Sequence, residues 1–428
     1  MLNCIVARLN LDLGGLTMKA LYENHRQQLA SIMEIGDMAI LFSGKAPKST
    51  ADAHYSFLPN KNFFYFTGCT QEHFVLAMVK SEKGLESTLF IEKPDYDIEK
   101  WVGRKLTKDA ALELSGITDV QYVDGFVSWI ARQVYNGKIT RLYLDLEKMN
   151  WDELDSPASQ FAGDFSKRYP FVNMKSLHFI LCELRVLKSD EELDQIKRAI
   201  DLTKIGIEGI LNTLKPNVYE YQLEATFEYH IKMNGAERCS FETIAASGED
   251  GVILHYVENS KPLKDGDLVL LDLGAQYKQY AADISRTFPV NGKFTERQKQ
   301  IYNIVLKAQQ DVIDAMKPGI PFEELNKVCQ KSLADSLISI GLIKDFSELS
   351  KYYYHGVSHY LGLDVHDIGS RNGLLKEGMV LTVEPGLYIA EESIGIRIED
   401  DVLITETGNV VLSSHIPKSV EEIERLMA

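Results

Sequence analysis

Apolar and polar positions follow two different rhythms along this chain, and the change between them marks two domains. In the first part, short apolar runs read as buried strands: Met38-Ala39-Ile40-Leu41-Phe42, Phe74-Val75-Leu76-Ala77-Met78-Val79 and Leu89-Phe90-Ile91. Helical patterns such as Asp109 to Leu114 alternate with later strands, which predicts an α/β domain. The pattern shifts near Val186. Ser189-Asp190-Glu191-Glu192 has the form of a capping box, in which Ser189 accepts from the third helical N–H and Glu192 reaches back to the cap. Leu193, Ile196, Ile200, Ile207, Ile210 and Leu211 then recur at helical spacing, so a long amphipathic helix opens a second domain. Domains are expected over 18–186 and 187–428. In the second, helices predicted over 219–232, 295–316 and 323–340 mix with hairpin strands. The helical pattern from Lys19 follows a second methionine, Met18, and residues 1–17 are expected to add nothing to the fold.

The strands of the second domain carry acids in unexpected places. Leu268-Val269-Leu270-Leu271 reads as a strand buried on both faces, yet Asp272 follows it directly, where an ionised carboxylate is costly unless something offsets its charge. Ala281-Ala282-Asp283-Ile284-Ser285 repeats the pattern, and the short link 274–280 predicts an antiparallel hairpin with one acid per strand. Val380-Leu381-Thr382-Val383 ends in Glu384 before Pro385-Gly386. Gly395 to Asp400 alternates strictly, so Arg397 and Glu399 share one face and Ile396 and Ile398 the other.

Composition narrows the classes. The 428 residues include 62 acidic and 46 basic side chains, a formal charge of −16, so the mean field repels phosphate backbones and anionic lipid. No nucleic-acid or membrane partner is expected, and no stretch approaches the roughly 18 apolar residues of a membrane span. Five scattered cysteines, odd in number and without a CxxC pair, fit a reducing compartment and a cytoplasmic location. Phosphate-loop, GxGxxG, GxSxG and HExxH motifs are absent from the sequence.

Each remaining residue has a plain reading beside a chemical one. Asp272 can cap its strand and turn to water. His359 can be a hydrogen-bonded structural histidine, Arg397 and Glu399 a solvated ion-pair face, Glu384 a turn former, and His355 to His366 a solvent-facing loop. Together they are harder to dismiss. Four acids at the ends of apolar strands, with one histidine near a glycine, repel one another unless cations are present. Two divalent cations remove the repulsion, and an oxygen-rich set suits Mn2+ better than a thiolate-loving metal. Carboxylates bridging ions about 3.5–4 Å apart are a usual way to hold a water between them.

The ordered set Asp272, Asp283, His359, Glu384, Glu399 resembles the ligand set of the pita-bread metallopeptidases, which include methionine aminopeptidase, prolidase and aminopeptidase P. The words LLDLGAQYKQYAADISRTFPVNGKFT, HGVSHYLGLDVHDIG, MVLTVEPGLYI and IGIRIEDDVLITE are most similar to bacterial aminopeptidase P (Xaa-Pro aminopeptidase), as are NKNFFYFTG and Glu99-Lys100-Trp101-Val102-Gly103-Arg104. The resemblance extends from about Met18 to the C-terminus. It implies an α/β N-terminal domain and an α+β C-terminal pita-bread domain with a curved antiparallel sheet. It also implies two divalent ions, Mn2+ first with Co2+ or Zn2+ as alternatives, held by Asp272, Asp283, His359, Glu384 and Glu399. Glu384 would then act as general base toward the water between the ions, and His255 as donor to the substrate carbonyl. His355 and His366 would line the pocket for the residue after the cut, and Arg397 would steady the carboxylates. Trp101 corresponds to an aromatic that reaches a neighbouring subunit in relatives, so a homo-oligomer, dimer or tetramer, is implied. Ser285 replaces a threonine common in relatives, and the loop between Tyr388 and Gly395 is short.

The implied reaction is hydrolysis of the bond between an N-terminal residue and a following proline in Xaa-Pro-Yaa peptides. Prolidase, acting on Xaa-Pro dipeptides, shares every ligand and is the nearest alternative. A non-catalytic peptide-binding pita-bread module, or a metal-free creatine-type hydrolase, would typically have lost ligands that are all present here.

Overall fold

The structure is a computed structural model that describes residues 18–428, so the expectation about residues 1–17 lies outside the described residues. The chain divides into two compact units, one ending at Leu184 and the other spanning Arg185–Ala428.

The N-terminal unit begins with a helix over 18–32 and is built on a six-stranded mixed sheet. Its strand order is Asp119–Tyr122, Gly84–Ile91, Val75–Ser81, Asp37–Phe42, Arg141–Leu144, Asn173–Ser176. The central pairs Asp37–Phe42 with Val75–Ser81 and Val75–Ser81 with Gly84–Ile91 are antiparallel, and the outer pairs are parallel. The strand expected at 89–91 therefore begins at Gly84, because the antiparallel ladder closes at Ser81 opposite Gly84 even though that stretch is not apolar. Met38, Ile40, Ala77, Phe90 and Leu142 form the core beneath helix Phe126–Tyr135, which contributes Phe126 and Trp129.

In the C-terminal unit the capping box forms as read. Ser189 N donates to Glu192 Oε2 at 3.0 Å and Glu192 N to Ser189 Oγ at 3.4 Å, opening helix Asp190–Thr213 with Leu193, Ile196, Ile200, Ile207 and Ile210 buried along one stripe. Helices Glu220–Met233, Glu296–Ala315 and Phe322–Ser339 lie within a residue of their expected limits. Among the described residues no helix is long and apolar enough to cross a membrane.

Two long hairpins present the site. In the first, Leu268–Leu273 pairs antiparallel with Ile284–Pro289, and the same register continues from Ala275–Tyr277 to Tyr280–Ala281 around a turn at Lys278 and Gln279, both with positive φ. The hairpin is as expected, but Asp283 falls in a break in the ladder rather than inside a strand. Its N–H donates to Asp401 Oδ2 at 3.3 Å, and Gly274 opposite leaves room for the bend: a Cβ there would lie 1.8 Å from the Ala282 carbonyl oxygen.

The second hairpin pairs Val380–Val383 with Asp400–Ile404 and Gly386–Ile389 with Ile394–Arg397. Its register is continuous, so Glu384 stands opposite Glu399 and Pro385 opposite Ile398. The regular strand pauses at Ile398 and Glu399, but the expected alternation carries through, and Arg397 and Glu399 share a face on which both meet Ser285. Pro385 has no N–H to give the ladder. The acids' own N–H groups turn elsewhere, Glu384 to the Val357 carbonyl at 2.9 Å and Glu399 to that of Ser285 at 3.1 Å.

Candidate active site

The breaks converge. Asp272, inside the first hairpin, receives Arg397 Nη2 on Oδ2 at 2.7 Å, while Oδ1 is buried with no hydrogen-bond partner. Arg397 Nε donates to Ser285 Oγ at 2.8 Å, and that hydroxyl donates to Glu399 Oε2 at 2.7 Å. One serine thus links the guanidinium of one strand to the acid beyond its break. His359 donates from Nδ1 to the Tyr360 carbonyl at 3.0 Å, which leaves Nε2 facing Asp283 Oδ2 at 3.4 Å and Glu384 Oε1 at 3.6 Å. Ligand-type atoms of Asp283, His359 and Glu399 lie within 4.8 Å of one another. All four acids and the histidine of the expected ligand set are gathered here, and the strand-cap, solvated-face and turn readings do not describe them.

Electrostatics make the cluster costly as carboxylates alone. Burial, reinforced by Asp272, Asp401 and Glu384, pushes the Asp283 carboxyl well above the usual range. Glu399 is pushed the same way by burial and then by Asp283, Glu384 and Asp272. Burial also raises Glu384, against the opposing pull of His359 and Arg397. Glu384 and Glu399 are a directly opposed like-charge cross-strand pair, an arrangement that destabilises a sheet. A single buried guanidinium cannot balance four carboxylates. The orphaned Asp272 oxygen and the His359 Nε2 lone pair complete a donor set that fits divalent cations with oxygen and imidazole preference.

The remaining expected residues surround a cavity of about 190 Å³, lined among others by His255, His355, His366 and Arg371, with an adjoining lobe of about 260 Å³ between His255, Val365, His366 and Phe241. His355 donates from Nδ1 to the Gly356 carbonyl at 2.8 Å and accepts from Tyr388 Oη at 2.8 Å. Burial lowers it to about 4, with Arg397 adding to the effect, so the ring is neutral near pH 7. His366 packs edge-on against His359, ring centroids 4.3 Å apart, and burial with His359 and Arg371 lowers it to about 4 as well. Trp101 is 89% exposed on helix Tyr96–Val102 of the N-terminal unit.

Four residues at or behind the site escape a reading of the sequence. Tyr388, buried, bonds both His355 and Arg397 Nη1, the latter at 3.1 Å. Arg371 lines the cavity from a polar loop that carries no pattern. Asp401 holds the Asp283 backbone, and Gln309 sits behind the second hairpin. The last has a signal: a glutamine on the apolar stripe of its helix, between Val305 and Val312.

Residues 194–406 match the sequence profile of Metallopeptidase family M24, and residues 22–143 that of Aminopeptidase P, N-terminal domain. The Xaa-Pro aminopeptidase of Escherichia coli (strain K12) is 37% identical over 428 residues, spanning 95% of this chain and 97% of its own. A solved structure from Bacillus anthracis superposes with a TM-score of 0.94 at 46% identity, covering 96% of this chain and 98% of that one. Aminopeptidase P from E. coli with the inhibitor Pro-Leu gives 0.86 at 36% identity and the same coverage. The broken antiparallel hairpins are the curved sheet of the pita-bread fold. The chain belongs to metallopeptidase family M24, in the branch that carries the aminopeptidase P N-terminal domain ahead of a pita-bread domain.

Proposed function

We propose that the chain is a metal-dependent Xaa-Pro aminopeptidase that releases the first residue from peptides with proline second. The observation that carries this reading is the opposition of Glu384 and Glu399 at the break of one hairpin, gathered with Asp272 from a strand of the other and Asp283 at its break, in a chain similar over 95% of its length to an Xaa-Pro aminopeptidase.

Asp272, Asp283, His359, Glu384 and Glu399 would hold two divalent cations, Mn2+ by preference. When bound, such ions polarise a carbonyl and acidify a water. Glu384 would take the proton from the attacking water. His255 and His366, which line the cavity, would donate to the substrate oxygen on which charge develops. His355, locked in one tautomer by Gly356 and Tyr388, forms the wall beside them. Arg397 keeps Asp272 oriented and, through Ser285, Glu399. A proline nitrogen brings no N–H, so a pocket walled by His355 and His366, both neutral, accepts it without leaving a donor unpaired.

An assembly of two or four copies belongs to the same reading. Tyr96, Ile98, Trp101 and Val102 all stand exposed on one short helix, an apolar patch of the kind that marks interfaces, and sedimentation tests it. For the chemistry, the chelator-stripped protein should be inactive and regain activity with about two equivalents of Mn2+. Full activity in chelator with no bound metal would overturn the reading.

A further inference from the structure

Behind the break of the second hairpin, one buried amide touches both strands. Gln309, on helix Glu296–Ala315, is fully buried, and its Nε2 donates to the Val383 carbonyl and to the Ile398 carbonyl, each at 3.1 Å. Val383 and Ile398 immediately precede Glu384 and Glu399. The orientation of the amide is unambiguous: carbonyls only accept, and Lys418 Nζ, which only donates, meets Oε1 at 2.8 Å. Lys418 also donates to Asp400 Oδ2 at 2.6 Å. The ladder is thinned at this point: the Ile398 N–H reaches the Pro385 carbonyl at 3.3 Å, but Pro385 has no N–H to return to the Ile398 carbonyl, and the Glu384 and Glu399 N–H groups face other partners.

We propose that Gln309 is a positioning residue for the reaction: its single NH2 supplies the Ile398 carbonyl with the donor Pro385 lacks, joins it to the Val383 carbonyl, and sets the spacing of the Glu384 and Glu399 carboxylates. This rests on the reading of those acids as metal ligands. A ladder hydrogen bond fixes two strands through two residues; here one side chain from a helix fixes them through the two carbonyls next to the acids. The spacing of the acids is thereby tied to a rigid helix as well as to a bend in which Ile398 N–H reaches the Pro385 carbonyl and Pro385 can return no bond. Partners that orient ligands typically matter about 10- to 100-fold in metal affinity or activity.

Gln309→Glu tests this, since it keeps the shape and the Lys418 partner but faces both carbonyls with an acceptor. Gln309→Met serves if that variant does not fold. Tyr302→Phe is the structural control: Tyr302 is buried earlier on the same helix and donates to the Lys418 carbonyl, at 2.8 Å, with no hydrogen bond to Glu384 or Glu399. Mn2+ affinity is measured by calorimetry, ligand geometry by the visible spectrum of the Co2+ form, and kcat and KM on a proline peptide. The expected result is a 10- to 100-fold loss of Mn2+ affinity, an altered Co2+ spectrum and a fall in kcat larger than the change in KM, none of which Tyr302→Phe reproduces. Parental affinity and spectrum in a Gln309 variant that merely melts lower, as Tyr302→Phe does, would overturn the proposal. A parent protein that takes up no Mn2+ would overturn the metal reading first and this proposal with it.

Discussion

Asp283 occupies a position no isolated carboxylate would choose: 5% exposed, close to Asp272, Asp401 and Glu384, and held above the usual carboxylate range mainly by its own burial. Replacing it with asparagine removes a repelled charge and a cation ligand together. Asp283→Asn should therefore melt higher than the parent in chelator, gain nothing from Mn2+, and lose activity by at least about 100-fold; thermal melts with and without Mn2+ check both signs. Ser285 makes a finer test, since its hydroxyl joins Arg397 to Glu399. Ser285→Ala should lower activity about 10-fold, whereas Ser285→Thr, which keeps the hydroxyl, should stay near the parent; steady-state kinetics on the pair decide it. At this scale the sequence showed Asp272, Asp283, Glu384 and Glu399 because an acid interrupting an apolar strand is visible without any knowledge of the fold. Gln309 and Tyr388 were less legible because their meaning lies in partners such as Val383 and Ile398, which only tertiary structure brings near.

Among the elements, the loop that follows His359 and carries His366 is anchored by a buried ion cluster. Asp367 accepts from Lys188 Nζ at 2.9 Å and from Arg185, and Arg185 also reaches Asp364 at 2.8 Å. Burial alone would raise the Asp367 carboxyl, but Arg185 and Lys188 outweigh it and hold the group below the ordinary value. The sign follows: a carboxylate depressed on folding contributes stability above the unfolded value of about 4, and loses it as pH falls further. Acid titration should accordingly show a steep loss of stability below about pH 4 that Asp367→Asn flattens. The same variant at pH 7 should be about 3–5 kcal/mol less stable, because it removes the carboxylate that Lys188 pairs with and one of the two that Arg185 meets; urea melts measure both. Gly274→Ala is expected to be as damaging, since its Cβ would drive into the Ala282 carbonyl. Helix limits were readable within a residue, as capping residues and apolar stripes are local features. The strand breaks were not, because periodicity at Gly395 to Asp400 continues straight through the place where Pro385, on the opposing strand, interrupts the ladder.

For the molecule as a whole, the formal charge of −16 and the fold of family M24 frame one chemistry, a cation-dependent attack on peptide bonds. Mn2+ at about 100 times its dissociation constant should stabilise the folded chain by about 2.7 kcal/mol, seen as a reversible rise in melting temperature that chelator abolishes. The two-part organisation was legible from the capping box at Ser189, where a new helix starts; the mixed sheet of the N-terminal unit was legible only as α/β, because strand order depends on pairings that composition does not encode. The most direct test of the central claim is to strip the protein with chelator, restore Mn2+, and follow cleavage of Arg-Pro-Pro, Gly-Pro and Met-Ala-Ser side by side. Release of arginine from Arg-Pro-Pro, dependent on Mn2+ and much faster than cleavage of the other two, is the expected result; Gly-Pro as the best substrate, or no cleavage of any of them, would contradict it.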